Sequence, residues 1–344
     1  MCTTCGKYFP PETLRLTQDG LKYEWSAEYN GYEVTGVEGK KSELTQVTIP
    51  AEVNGYSVTS IWVFVFSDCT SLTSVTIPDS VTSIRNCAFL RCISLTSIII
   101  PNSVTSIGGG AFQDCSSLAS ITIPDSVTSI GNMAFSGCSS LTSFAIPDSV
   151  TSIGYGAFLG CSSVLLQFSE YDNAKYLGDS QNPYRFLLEA KSTDITSCII
   201  HEDTKCVSGF YECESLTSIV IPDGVTSIGE GAFMGCSSLI SITIPDSVTS
   251  MEECAFEGCS SLTSITIPDS ITSIGDGTFA GCSSLTSIII PDSVTSIGRY
   301  AFEGCGKLTI YCKAEKQPSG WHSEWNIFSY DNDECPVVWG YKGD

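Results

Sequence analysis

Positive charge is scarce in this chain. Its 344 residues carry 16 Lys plus Arg against 38 Asp plus Glu, a formal net charge of −22. Such a surface repels phosphate backbones and anionic lipid, so nucleic acid and acidic membranes are poor partners. Histidine is scarcer still: His201 and His322 alone, neither with a nucleophile placed beside it in sequence. No Gly-rich phosphate loop follows a strand pattern, and neither G-x-S-x-G nor H-E-x-x-H occurs. These gaps remove the common catalytic inventories, so no catalytic or cofactor-binding residue is assigned and the chain is read as a non-enzyme. No run of about 18 apolar residues is present, which argues against a helical membrane span and direct membrane insertion. The opening "MCTTCGKYFPPETL" lacks the basic and apolar regions of a signal peptide. That leaves a cytosolic protein or a fragment of a longer one. There is no Asn-x-Ser/Thr acceptor despite abundant Ser and Thr.

Apolar material is ample: 42% of the residues are hydrophobic and only 16% charged. It is strictly ordered. Prolines fall at 78, 101, 124 and 147, and again at 222, 245, 268 and 291, each step being 23 residues. Phenylalanine recurs at Phe66, Phe89, Phe112, Phe135 and Phe158, then at Phe210, Phe233, Phe256, Phe279 and Phe302. A cysteine follows each one three residues later, from Cys69 to Cys161 and from Cys213 to Cys305. Ten repeats thus lie in two arrays of five, with the pattern C-x-x-L-x-x-I-x-I-P-D-S-V-x-x-I-G-x-x-A-F.

A period of 23 is too short for tetratricopeptide or ankyrin units and matches leucine-rich repeats. The stretch "LTSITI" at 262–267 ends in a two-residue alternation, which predicts a short strand with Ile265 and Ile267 inward and Ser264 and Thr266 outward. Pro and Asp end it. "VTSI" reads as a second short extended piece, and "GxxAFxGC" as a helical turn or tight bend. One repeat cannot bury its own apolar face, so stacked neighbours must form a continuous core, Leu on Leu and Phe on Phe.

The 23-residue "C-x-x-L-x-x-I-x-I-P…V-x-x-I-G-x-x-A-F" unit, covering residues 44–312, resembles the Treponema-type leucine-rich repeat of BspA-like bacterial surface proteins. The resemblance implies a repeat solenoid, a leucine-rich-repeat superhelix with short parallel strands; the residues before and after the period read as a β-rich N-terminal cap and an irregular C-terminal cap. The resemblance also implies adhesion to host matrix, mucosa or other bacteria, a cell-surface or extracellular location, and an export signal and anchor outside this chain. The partner implied is an extracellular protein or glycoprotein.

The domain reading follows the breaks in the period: an N-terminal β-rich cap at 1–43, a first array at 44–166, a degenerate repeat or insert at 167–198, a second array at 199–312, and a Trp-rich C-terminal cap at 313–344. The first repeat carries a five-residue expansion with Asn54-Gly55 as its turn. From Cys161 to Cys213 is 52 residues, two repeats plus six, and His201 stands where a repeat has Pro. The insert's "YLG…NPY" also resembles a feature of the family.

Interaction residues are sought where regularity fails. The insert holds Tyr171, Tyr176, Tyr184 and Phe186, either patching the solenoid's side or forming a binding protrusion. The C-terminal segment holds Trp321, Trp325 and Trp339, read as a cap or as a carbohydrate-stacking patch. The outward strand positions, such as Ser74/Thr76 and Ser264/Thr266, offer hydroxyls but no aromatic anchors. Besides adhesion, a structural spacer for other domains and a carbohydrate-binding module remain open.

The ten-cysteine column predicts buried free thiols, since stacked parallel side chains hold Cβ atoms near 4.8 Å rather than the roughly 3.8 Å a disulfide prefers. Cys198 replaces a core Ile. Cys2 and Cys5 are half of a zinc-ribbon pattern without its second half, so no metal ligand is assigned. The column Asp79, Asp125, Asp148, Asp223, Asp246, Asp269 and Asp292 reads as a solvated turn rather than a Ca²⁺ site, because each turn supplies one carboxylate.

Overall fold

A computed structural model describes residues 16–27, 30–142, 145–161, 168–178, 180–329 and 333–343. The chain divides into two compact units, one of Met1–Val150 with Ala157–Leu166, the other of Thr151–Gly156 with Gln167–Asp344.

Each regular repeat contributes two strands. In the first unit the longer set includes Ser74–Thr76, Ser97–Ile99 and Ser120–Thr122. The shorter set is Ser83–Ile84, Ser106–Ile107 and Ser129–Ile130. Both sets pair in parallel, like on like: Ser83 meets Ser106, which meets Ser129, and Ile121 meets Ile98. The direction is parallel because each turn of a solenoid retraces the last. The expected alternation holds, with Ser264 and Thr266 exposed, Ile265 and Ile267 buried. β-Branched residues dominate because they pack well on a pleated, half-buried surface. Proline then ends the strand, having no N–H for the ladder. Its carbonyl accepts from the Val three residues on, as in Val81 N to Pro78 O at 3.1 Å.

The "GxxAFxGC" segment is a run of hydrogen-bonded turns, so of the two expectations the tight bend is the one found. Phe89 N donates to Ala111 O at 2.8 Å in the next repeat, and Cys92 N to Phe89 O at 3.2 Å within its own. Two residues adopt left-handed backbone here in every repeat but that of Phe210, which has one. One position holds Gly258 (φ +74°) but also Arg91 (+57°), Asp114 (+57°) and Glu212 (+53°). Glycine is the unstrained choice at such a φ, and the other residues carry a steric cost that the stack must offset.

Phenylalanines form two stacked columns. In the first unit successive rings lie 5.1, 5.3, 5.5 and 5.6 Å apart. In the second they lie 5.4, 5.3, 5.6 and 5.5 Å apart. Leu, Val, Ala and Cys complete the core around them.

Each unit begins with a β meander. In the first, Leu16–Gln18, Leu21–Ser26 and Gly31–Val37 run antiparallel, and Gly31–Val37 pairs in parallel with Tyr56–Ile61. Asn54-Gly55 closes a hairpin with both φ positive, +52° and +78°, as a type I′ turn requires. In the second unit, Ser169–Tyr171, Ala174–Leu177 and Phe186–Ala190 run antiparallel, and Phe186–Ala190 pairs in parallel with Cys206–Val207. The stretch read as a degenerate repeat is therefore a cap of the same topology, placed before the second array. Both meanders present a parallel edge, which the next strand of the solenoid needs.

The C-terminal segment keeps more of the period than its sequence suggests. Gly320–Trp321 pairs with Ser296–Ile297, and the Trp325 ring meets Phe302 edge-on at 5.9 Å. Trp325 lies 23 residues after Phe302 and fills the eleventh Phe position. Its indole covers the last ring of the column, as a terminal repeat must. Cys2 and Cys5 fall outside the described residues.

Candidate interaction surface

Four of the candidate contact residues are structural. Tyr176, Phe186, Trp321 and Trp325 are all buried. Tyr176 belongs to the second array's core, Phe186 is buried on the neighbouring meander strand, and Trp321 and Trp325 close the array's far end. A partner cannot reach them without unfolding the cap, so they are corrected to core residues. Burial also raises the Tyr176 phenol above its usual range. Its hydroxyl accepts from His201 N at 3.3 Å. Cys198 is core as expected.

Tyr171 and Tyr184 are different. Tyr171 is 40% exposed, at the end of the first meander strand. Tyr184 is half-buried and stacks on His201, centroids 3.8 Å apart and planes within 13°. Tyr171 meets His201 edge-on at 4.9 Å and Tyr184 at 6.2 Å. His201 holds this place because it replaces the repeat's Pro while keeping its turn: Thr204 N donates to His201 O at 3.0 Å. Its Nδ1 accepts from Asp203 N at 3.2 Å, which leaves the ring proton on Nε2 in the neutral form.

Two aliphatic residues extend the aromatic group. Ile199 is 64% exposed and Val220 is 79% exposed, and they are bridge partners on adjacent turns. The Asp172 carboxylate, next to Tyr171, accepts from Ile199 N at 2.7 Å and ties the meander turn to this pair. Tyr171, Tyr184 and His201 form an aromatic cluster on the second unit, and the exposed pair Ile199 and Val220 is tied to it through Asp172; these five residues are the candidate patch. Ion pairs fix its frame: Lys191 to Glu170 at 2.8 Å and Lys175 to Glu189 at 2.5 Å. The Lys191 hydrogen bond also lowers the Glu170 carboxyl below its usual range.

Sequence reasoning found Tyr171 and Tyr184 and missed the other three. The available signal was substitution inside the repeat: His201 for Pro, and Ile199 and Val220 as two successive aliphatic residues at an outward position that is Thr in four repeats. Among the described residues no group of three or more His, Cys, Asp or Glu is placed to hold a metal ion. The Asp79-to-Asp292 column lies exposed in turns.

Residues 40–165 and 207–316 match the model of the BspA type leucine rich repeat region, in six copies. The chain belongs to this family. A leucine rich cell surface protein from Faecalibacterium prausnitzii is similar at 31% identity over 94% of this chain and 99% of that one, TM-score 0.43. A leucine-rich repeat protein from Bacteroides ovatus is similar at 29% identity over 94% and 71%, TM-score 0.39. The pneumococcal vaccine antigen PcpA is similar at 21% identity over 91% and 89%, TM-score 0.40. Curated proteins give no match. Among the described residues of this BspA-type chain, no helix is long and apolar enough to cross a membrane.

Proposed function

We propose that this BspA-type chain is a non-catalytic adhesin, displayed at the cell surface or secreted, that binds an extracellular protein or glycoprotein such as a matrix component or mucin. The observation that carries it is the patch of Tyr171, Tyr184, His201, Ile199 and Val220. Rigid aromatic and aliphatic side chains, held by a cap and a parallel sheet, are what a binding hot spot uses. They bury area on docking at little cost in side-chain entropy. The family and its bacterial surface relative support the setting. Repeats this uniform suit a scaffold, with recognition carried by a place where they are interrupted.

The test is label-free binding of the chain to fibronectin, other matrix proteins and mucins near physiological salt. The triple variant Tyr171→Ala, Ile199→Ser, Val220→Ser serves as control. Binding that falls at least about ten-fold in the variant supports the patch, since truncated hot-spot residues cost about 2 kcal/mol or more. Binding unchanged by the variant moves the site elsewhere. No binding across the panel leaves the chain as a structural spacer.

A further inference from the structure

The C-terminal cap contains a cleft of about 460 Å³, apart from the patch above. Trp339 forms its aromatic wall, with the buried Trp325 beneath it, and Gln317, Ser323, Asn326 and Glu334 supply polar groups around it. We propose that this cleft is a binding subsite for a neutral saccharide. The inference is independent of the adhesin reading, because it rests on other residues.

Three observations carry it. First, the wall is rigid. Trp339 packs on Trp321 at 5.7 Å, and the backbone just after it is pinned by Gly340 N to Ala314 O and Tyr341 N to Cys312 O, both 2.9 Å. Val337–Val338, just before it, pairs with Thr309–Cys312. An indole held this way presents its surface without an ordering cost, and a sugar ring offers a face of C–H groups to match it.

Second, the polar groups suit paired hydroxyls. Asn326 is almost fully buried, and its Nδ2 donates to Glu334 Oε2 at 3.3 Å, which orients the carboxylate. Amides and carboxylates combine donors and acceptors at the spacing of neighbouring hydroxyls, and Gln317 and Ser323 are exposed and able to adapt. A concave, partly aromatic site with a few convergent polar groups is the usual form of a small-ligand site.

Third, charge selects the class. No Lys, Arg or His is among the described residues lining the cleft, Glu334 is its carboxylate, and the whole protein carries −22. Sialylated or sulfated sugars would meet repulsion with no cation to offset it. Neutral hexoses and N-acetylhexosamines would not.

Calorimetry and tryptophan fluorescence on the full chain test this, with N-acetyllactosamine and chitotriose as neutral probes and 3′-sialyllactose as the anionic one. The expected result is fluorescence quenching and measurable heat with a neutral probe, little of either with the sialylated one, and at least about a ten-fold loss of affinity in Trp339→Ala. If thermal melting shows that Trp339→Ala disturbs the cap, the exposed pair Gln317→Ala, Ser323→Ala decides, with a smaller loss expected at unchanged stability. Three results would overturn the proposal: no response to either neutral probe at millimolar concentration, equal response to 3′-sialyllactose, or binding that both variants leave intact.

Discussion

The Cys282 thiol donates a hydrogen bond to the Phe256 carbonyl at 3.2 Å, joining one repeat to the one before it. The same bond recurs from Cys92 to Phe66 and from Cys236 to Phe210, at 3.1 and 3.0 Å. A conventional disulfide ladder would require Sγ atoms to turn toward each other along the stack. Here they turn to a backbone acceptor that the turn leaves available. The cysteine is thus the right size for the core and adds a second hydrogen bond to a buried carbonyl that already accepts from a backbone N–H, as Phe256 O does from Cys259 N at 3.2 Å.

This arrangement predicts alkaline sensitivity. Burial pushes the Cys69, Cys259 and Cys305 thiols up from 9.0 to about 12. The folded state therefore favours the protonated form. Stability from these groups is fully present below pH 9 and is lost as pH rises toward 12, because the unfolded chain releases its protons first. Melting temperature should fall steeply over that window, and thiol labelling at pH 8 should be slow in the native protein and fast in denaturant. A flat melting curve up to pH 11, or rapid native labelling of the column, would contradict it.

The Phe columns set the main mechanical expectation. Phe256 is fully buried between Phe233 and Phe279, at 5.3 and 5.6 Å. Phe256→Ala should cost about 3–5 kcal/mol, the transfer of the ring plus the cavity it leaves. Phe256→Leu should cost clearly less. Chemical denaturation of both variants measures the difference, and equal small losses would mean that the stack relaxes around a gap.

The second meander caps the second array, which predicts that a fragment of residues 151–344, holding both segments of the second unit, folds by itself. A fragment starting at 199 lacks the strands that pair with Cys206–Val207 and leaves that edge open. Cooperative melting of the longer fragment, together with aggregation or a much lower transition for the shorter one, is the expected outcome. Equal behaviour of the two would deny the meander a capping role.

The repeat itself was legible from residues alone. Proline, Phe and Cys at a constant step of 23 state which positions are stacked, and the two-residue alternation states which face in. The family resemblance named the solenoid on the same motif. The insert was harder, because aromatic residues serve a cap core and a binding surface equally well in composition. Tyr176 and Tyr171 are five residues apart, and only strand pairing puts one inside and the other at the surface. Ile199 was hidden for a related reason: its exposure comes from the outward register that its turn imposes. Trp325 could have been found by counting one more period past Phe302.

The contrast between Tyr171 and Tyr176 separates binding from folding. Tyr171→Ala removes an exposed ring, so stability should change by no more than about 0.5 kcal/mol. Tyr176→Ala empties a fully buried site and leaves His201 N without its acceptor, so a loss of about 3–5 kcal/mol is expected. Urea denaturation of the two variants side by side reads this directly. A large loss for Tyr171→Ala would make the patch part of the core rather than a surface.

Trp325 offers the sharpest test of how the solenoid ends. It is buried, covers Phe302 edge-on and packs against Trp321 at 4.7 Å. Trp325→Ala should expose the last ring of the column and cost about 3–5 kcal/mol. Trp325→Phe places in the cap the residue that the ten repeats carry, and should cost less than half as much. The damage should also be local at first, since repeat arrays unfold through their ends when a cap is weakened. Amide exchange in the alanine variant should quicken across 309–343 before it changes near Phe233. If both regions quicken together, the second unit unfolds as one block and the cap is not its weakest point.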